Sequence, residues 1–345
     1  MYISLVWLRA IAPLLVFYDH IFGIKIREHG GSIIVDKVDE FVLKPFGIIQ
    51  DFGFLGVSIF FIISGFIISH VIQRESMVQF ILKRIFRIYP ALILSIIVIC
   101  ILNLIIPSYS FKEWSIWDIG LSMTLLNYMF VGNIVIQGVA WTLIIEVLFY
   151  ISFVIVFFVT KSLFKAAIGL MVGVFVILLN SRELGDTFFL FSVSMSYLPY
   201  LISGIFIYLY YDKKISSSIF LISMAMNFSL IIFSIKTIQP DFLVINNSYL
   251  LSYIYGLVIA GLFLANEKKL TAPRIVVFYN NISYSFYLYH GVIGFFIVDA
   301  CYKYIGLWSV LVAFLAVSLI SFISYKTIEI PMSNFCKILL RRIVN

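Results

Sequence analysis

The sequence predicts an all-α protein, a polytopic membrane helical bundle of about ten transmembrane helices with both termini cytoplasmic. Three observations carry that expectation. Hydrophobic residues fill 63% of the 345 positions and charged residues 12%, whereas soluble globular chains are roughly 45–50% apolar. Apolar runs of the ~17–25 residues needed to cross a bilayer recur along the chain. Lys and Arg fall unevenly between those runs, collecting in alternate connections. No linker or soluble-like block interrupts the pattern, so one integral membrane domain, residues 1–345, accounts for the chain.

The first run, Ile3–Ile24, lacks a small-residue cleavage site and holds Arg9 inside it, so it is expected to remain as a helix rather than be removed as a signal. A long connection follows, in which Lys25, Arg27, Lys37 and Lys44 are balanced by Glu28, Asp36, Asp39 and Glu40. Phe52–Ile72 is the second span and Ile88–Ile106 the third, separated by a basic connection with Arg74, Lys83, Arg84 and Arg87. Trp117–Val131 is apolar but short, and Asp118 and Asn127 interrupt it. It reads as a re-entrant or interfacial piece. Trp141–Thr160, Ala166–Asn180, Phe188–Tyr210, Ser216–Ile235, Ser248–Ala265, Ile282–Ala300 and Leu307–Tyr325 complete the set. With the N-terminus inside, the cytoplasmic connections hold fourteen Lys and Arg and the outer ones eight, among them Lys112. That asymmetry fits the positive-inside rule. Counting Trp117–Val131 as a span would place Lys161 and the later basic connections outside.

Several function classes are disfavoured. The net charge of +7 is scattered among connections rather than gathered in a patch, so it does not point to nucleic acid. Cys100 and Cys301 lie in apolar runs and Cys336 in the basic tail, which is no disulfide framework. His20, His29, His70 and His290 have no metal-ligand spacing, and no HExxH, Walker loop or GxSxG is present, so no metal is expected. No internal repeat is visible, which weakens a secondary-transporter reading.

Residues that an apolar run should not hold mark the chemistry. Arg9 and His20 both lie in the first run, eleven residues apart. That is about three helical turns, so they share a face about 16 Å apart along the axis, with Pro13 between them. An ionisable group at bilayer depth costs roughly 3 kcal/mol or more unless it faces a polar interior. His20 reads either as a general base or as an interfacial histidine beside Tyr18 and Asp19. Arg84 and Arg87, three apart with Lys83 adjoining, can grip phosphate oxygens or simply anchor the cytoplasmic side. Glu146 has no basic residue within its own helix, so a partner must come from another one. Ser64-Gly65 suits close helix packing. Ser283, Tyr287 and His290 stand at helical spacing, as a polar cavity seam or as an aromatic interface belt.

Taken together and in order, these pieces resemble the acyltransferase 3 family of integral membrane acyltransferases. Leu8-Arg9-Ala10 through His20 is similar to that family's arginine–histidine motif. Gly53–Phe66 resembles its second-helix signature, and Lys83-Arg84-Ile-Phe-Arg87-Ile-Tyr89-Pro90 carries its R-x-x-R with the following tyrosine–proline. Trp141 to Tyr150 with Glu146, Ser283 to His290, and Glu329-Ile-Pro331 are similar to its later motifs. Pro13 and Asp19 stand where apolar or aromatic residues are commoner, and Val147 where a polar one is.

The resemblance implies an O-acyltransferase of the bacterial cytoplasmic membrane. It would move an acyl group, usually acetyl from acetyl-CoA as co-substrate, to a hydroxyl of an extracytoplasmic glycan or other acceptor. Lys83, Arg84, Arg87 and Arg9 are then expected to hold the donor, Arg9 alternatively to stabilise the developing oxyanion, His20 to take the acceptor's proton, and Glu146 to orient His20 or hold the acceptor. The chain ends about twenty residues after the last span, so transfer is expected from the membrane domain alone or with a separate partner. The rival from another class is a transporter or flippase for a lipid-linked glycan, with Arg9, Glu146 and His20 lining its path.

Overall fold

In a computed structural model the described residues are 2–48, 50–105, 114–130, 136–238 and 248–344. Ile106, Lys112 and Val131, which belong to expected elements, lie outside them. Among the described residues every regular element is helical. The long helices are α1 (Ile3–Tyr18), α2 (Gly53–Ile72), α3 (Met77–Ile105), α4 (Trp141–Thr160), α5 (Leu163–Leu179) and α6 (Asp186–Met195). They continue as α7 (Leu198–Tyr211), α8 (Ser217–Ile238), α9 (Ser248–Ala265), α10 (Arg274–Ile305), α11 (Trp308–Ser324) and α12 (Ile330–Val344). Eight helical stretches are long and apolar enough to cross a membrane, α6 with α7 and α11 with α12 counting as one each, and α5 and α9 are shorter apolar helices. The chain is thus a polytopic helical bundle.

Several boundaries differ from those the sequence suggests, among them the start of α10, at Arg274 rather than Ile282. The third span begins at Met77 rather than Ile88, so Lys83, Arg84 and Arg87 sit on a helix and not in a connection. Pro90 lies inside that helix as Pro13 lies inside α1, each removing one backbone donor without ending the helix. The last helix does not end before Pro331: a π-helical stretch, Tyr325–Glu329, joins α11 to α12. α1 likewise runs on through a π-helical stretch, Asp19–Ile26, whose wider turn begins beside His20. Ile116–Thr124 forms a helix of nine residues, which is too short to cross a bilayer.

Close packing is made by glycine. α2 lies between α1, α7 and α9, and α1 lies between α2 and α10. A Cβ on Gly65 would overlap the Leu201 carbonyl oxygen, and one on Gly204 the Ile62 carbonyl oxygen, so α2 and α7 meet backbone to backbone. Gly56 does the same against Ala12 of α1, 2.6 Å from its carbonyl oxygen. In lipid, where apolar side chains gain little by leaving the solvent, such proximity supplies dispersion contact between helices. Buried polar groups add to it. Asn227 Nδ2 donates to Ser203 Oγ and to the Pro199 carbonyl oxygen, both at 2.8 Å, and Tyr253 OH and Ser203 Oγ share a hydrogen bond of 2.6 Å, tying α8, α7 and α9.

Opposite the end that carries Tyr2, the connection after α1 is clamped by charge. Arg27 Nη1 and Nη2 donate to Asp39 Oδ2 and Oδ1 at 3.0 and 2.7 Å, and Nη2 also reaches Asp51 Oδ1 at 2.7 Å. The hydrogen bonds from Arg27 hold the Asp39 carboxyl below its usual range. Lys25 lies 2.9 Å from Asp299, which also contacts His29 at 3.0 Å. Gly65→Leu is expected to lower the detergent-solubilised melting temperature by several degrees or abolish the folded peak, since overpacking costs about 1–3 kcal/mol or more. Gly173→Leu, where a side chain would meet nothing within 4 Å, is expected to leave it unchanged. Fluorescence-detected size exclusion after a heating series compares the two.

Candidate active site

Arg9 projects from the middle of α1, and its neighbours come from elements far apart in sequence. Arg9, Lys83, Arg84 and Arg87 line one cavity of about 530 Å³ with Asn280, Glu329 and Lys337. Lys83 Nζ donates to Glu75 Oε1 at 2.5 Å, so its charge is matched there. Arg84 lies with Cζ 5.1 Å from the Phe80 ring centroid and 5.7 Å from that of Tyr150. The two arginines of the R-x-x-R pattern therefore differ in setting: Arg84 stacks on aromatic faces, while Arg87 turns toward Arg9.

Glu146 is 3% exposed and lies with the arginines rather than with His20. It shares a small cavity with Arg9, Arg87, Ser64 and Tyr150. Tyr150 OH donates to Glu146 Oε1, and Ser64 Oγ approaches the same oxygen at 3.5 Å. The partner that the sequence required from another helix is thus a pair of arginines, acting through their field. Arg9 is repelled by Arg87 and attracted by Glu146 and by Glu329 from the stretch between α11 and α12. Ser285 Oγ donates to Glu329 and holds its carboxylate in place. Among the described residues neither Arg9 nor Arg87 has a protein hydrogen bond, so both keep donors for an anion.

His20 lies at the other end of the same helix face. It lines a second cavity, of about 590 Å³, with Asp19, Asp51, Trp141, Tyr128, Tyr197, Tyr249 and Tyr287. Between the two cavities is a narrow one lined by Arg9, Pro13, Val16, Thr142, Ser283 and Tyr287. Arg9 borders the first and the narrow cavity, and Val16 and Tyr287 border the narrow and the second. The shared face expected from the eleven-residue spacing therefore carries three neighbouring cavities in succession, despite Pro13, the middle one small and mostly apolar in its lining.

Tyr287 lines two of these cavities and does not belong to an interface belt. Thr142 Oγ1 donates to Tyr287 OH at 2.9 Å, and Tyr287 OH donates to the Val139 carbonyl oxygen at 2.9 Å. One turn on, His290 is fully buried and stacks on His20, with ring centroids 4.8 Å apart and planes at 16°. His290 Nδ1 lies 2.7 Å from the Tyr287 carbonyl oxygen, which requires the proton on Nδ1. The ring presents its face to His20 and sets the plane of that imidazole. His20 Nδ1 is buried without a partner, whereas Nε2 lies 4.0 Å from Asp19 Oδ2 beside the cavity. Sequence spacing had marked Ser283, Tyr287 and His290 as one helix face, but nothing in it joined His290 to His20.

The decisive comparison is with known families. Residues 2–326 match the family model described as an acyltransferase domain. The chain belongs to the acyltransferase 3 family. No curated protein and no solved structure matches it. As an acyltransferase 3 protein with several spanning helices, it is a multi-pass membrane acyltransferase. In this acyltransferase, His290→Ala is expected to lower the transfer rate by about 10–100-fold with little change in donor KM, because the ring plane of His20 is lost. His290→Phe keeps the stacked face and is expected to recover most of the rate. Equal losses in both variants, or a change in KM alone, would count against a positioning role.

Proposed function

We propose that this protein moves an acyl group, most simply acetyl, from acyl-CoA to a hydroxyl of an extracytoplasmic glycan or glycoside in the bacterial cytoplasmic membrane. One observation carries the reading. Two cavities at opposite ends of one helix face, cationic at Arg9 and histidine-bearing at His20, are separated only by a small cavity that shares lining residues with each. A donor with phosphates suits the first, and a hydroxyl that must lose a proton suits the second.

With both termini cytoplasmic, the Arg9 cavity faces the compartment that contains acyl-CoA. Arg87, Arg9 and Arg84 hold phosphate oxygens, Lys83 stands at the rim paired with Glu75, and the pantetheine arm runs past Thr142 and Tyr287. The thioester carbonyl then lies near His20. His20 Nε2 takes the proton of the acceptor hydroxyl as its oxygen attacks that carbonyl carbon. Collapse of the tetrahedral intermediate breaks the carbon–sulfur bond, and the imidazolium returns the proton to the leaving thiolate. Glu146 acts at the donor end, balancing Arg9 and Arg87. Bringing both reactants together supplies the larger part of the rate advantage, since oriented reaction is worth about 7–11 kcal/mol.

Membranes incubated with radiolabelled acetyl-CoA and extracted surface glycan are expected to form alkali-labile labelled ester. His20→Ala is expected to abolish that label while leaving expression and membrane insertion intact. Arg87→Ala is expected to raise the KM for acetyl-CoA by at least about tenfold, because a charge-assisted hydrogen bond to phosphate is worth about 1.5–3 kcal/mol. Substantial transfer by His20→Ala, or donor affinity indifferent to Arg87, would overturn these assignments.

A further inference from the structure

The two cavities differ in charge as sharply as in position. Five basic side chains, those of Arg9, Lys83, Arg84, Arg87 and Lys337, line the first against the single carboxylate of Glu329. The second carries Asp19 and Asp51 and, among the described residues, neither lysine nor arginine. Arg27 touches Asp51 from outside that lining, and it is already shared with Asp39. His20 is the one nitrogen base in the second cavity, and it is the group that must stay free to take a proton.

The rest of this lining is suited to a sugar ring. Trp141, Tyr249 and Tyr287 bring aromatic side chains to the lining, the kind that pack against the C–H face of a pyranose, and Gln50 and Ser194 bring polar ones. Asp19 is pressed against Gly53, where any Cβ would collide with its carboxylate, so its position is imposed by backbone packing. An anionic substituent brought here would shed water without meeting a cation in that lining, since Arg27 is held by Asp51 and Asp39. A neutral ring meets no such penalty.

We propose that the His20 cavity selects a pyranoside acceptor whose reacting ring bears no anionic substituent, and that the lack of a cation in its lining sets this selectivity. The inference deepens the transferase reading above and rests on it. The test uses purified full-length protein in nanodiscs and two probes with the same ring hydroxyls at positions 2, 3 and 4, methyl glucopyranoside and methyl glucopyranosiduronate. Transfer from radiolabelled acetyl-CoA is expected to favour the neutral glycoside by at least about tenfold in kcat/KM. Gln50→Arg adds a cation at the cavity rim and is expected to narrow that ratio at least about threefold. Ile24→Lys, at a partly exposed lining position, does the same should the first variant fail to give a monodisperse peak.

Because both glycosides share one donor and one base, their ratio is insensitive to general damage. Equal rates in the wild type, or ratios unmoved in the folded charge variant, overturn the proposal. Quenching of Trp141 fluorescence, with Trp141→Phe as the blank, reads glycoside binding without chemistry. Preferential binding of the neutral glycoside with transfer to neither overturns the transferase reading and supports this one. Binding without preference, or no binding of either probe, overturns this one.

Discussion

Arg9 and Arg87 bring two positive charges into helices that are otherwise apolar enough to cross a membrane. Each such charge costs roughly 3 kcal/mol or more unless it meets a polar interior. Glu146 from α4 and Glu329 from the bend before α12 provide opposite charge, and four separate helical elements must converge for this to happen. The carboxylates are themselves held by hydroxyls, Glu146 by Tyr150 and Glu329 by Ser285. The arginines are not hydrogen-bonded in the same way. The offset is by field rather than by contact, and the guanidinium donors stay open toward the cavity. A site that is balanced in charge and unsatisfied in hydrogen bonds is suited to an anion that arrives and leaves.

The same convergence depends on backbone proximity elsewhere. The glycine contacts hold α2, whose Gly56, Val57 and Phe60 line the narrow cavity, close against α1 and α7. Packing in lipid thus sets how near the walls of that cavity stand. The constriction also keeps the two larger cavities apart, with basic side chains at one end and an imidazole at the other.

His20 is placed by a device that differs from the usual carboxylate partner. Its Nδ1 is buried and unpaired, and its plane is set by the stacked, fully buried ring of His290. The π-helical stretch that begins at Asp19 widens the turn where His20 leaves α1. Arg27, bridging Asp39 and Asp51, holds the following connection across the same end of the bundle. Strain is concentrated here too: Gln50, Asp51 and Phe52 all have positive φ, an unfavourable backbone for residues with a side chain, at the rim of the cavity.

Composition and periodicity alone determined the all-helical membrane bundle, and the acyltransferase 3 resemblance read from ordered motifs matches the family that residues 2–326 identify. Hydropathy is a local property, so it could show the runs. Motifs are local too, so Arg9, His20 and Glu146 were visible as residues that apolar helices do not hold without reason, and Arg84 with Arg87 as a spaced pair in a basic connection. Partnership is not local. That Glu146 stands with Arg9 and Arg87 rather than with His20, that Arg84 stacks on Phe80 and Tyr150, and that His290 lies on His20 across 270 positions of chain were decided by tertiary packing. The boundary at Met77 escaped for a related reason. Basic side chains lower hydropathy wherever they stand, and only packing reveals that a helix carries them into the bundle to line a cavity.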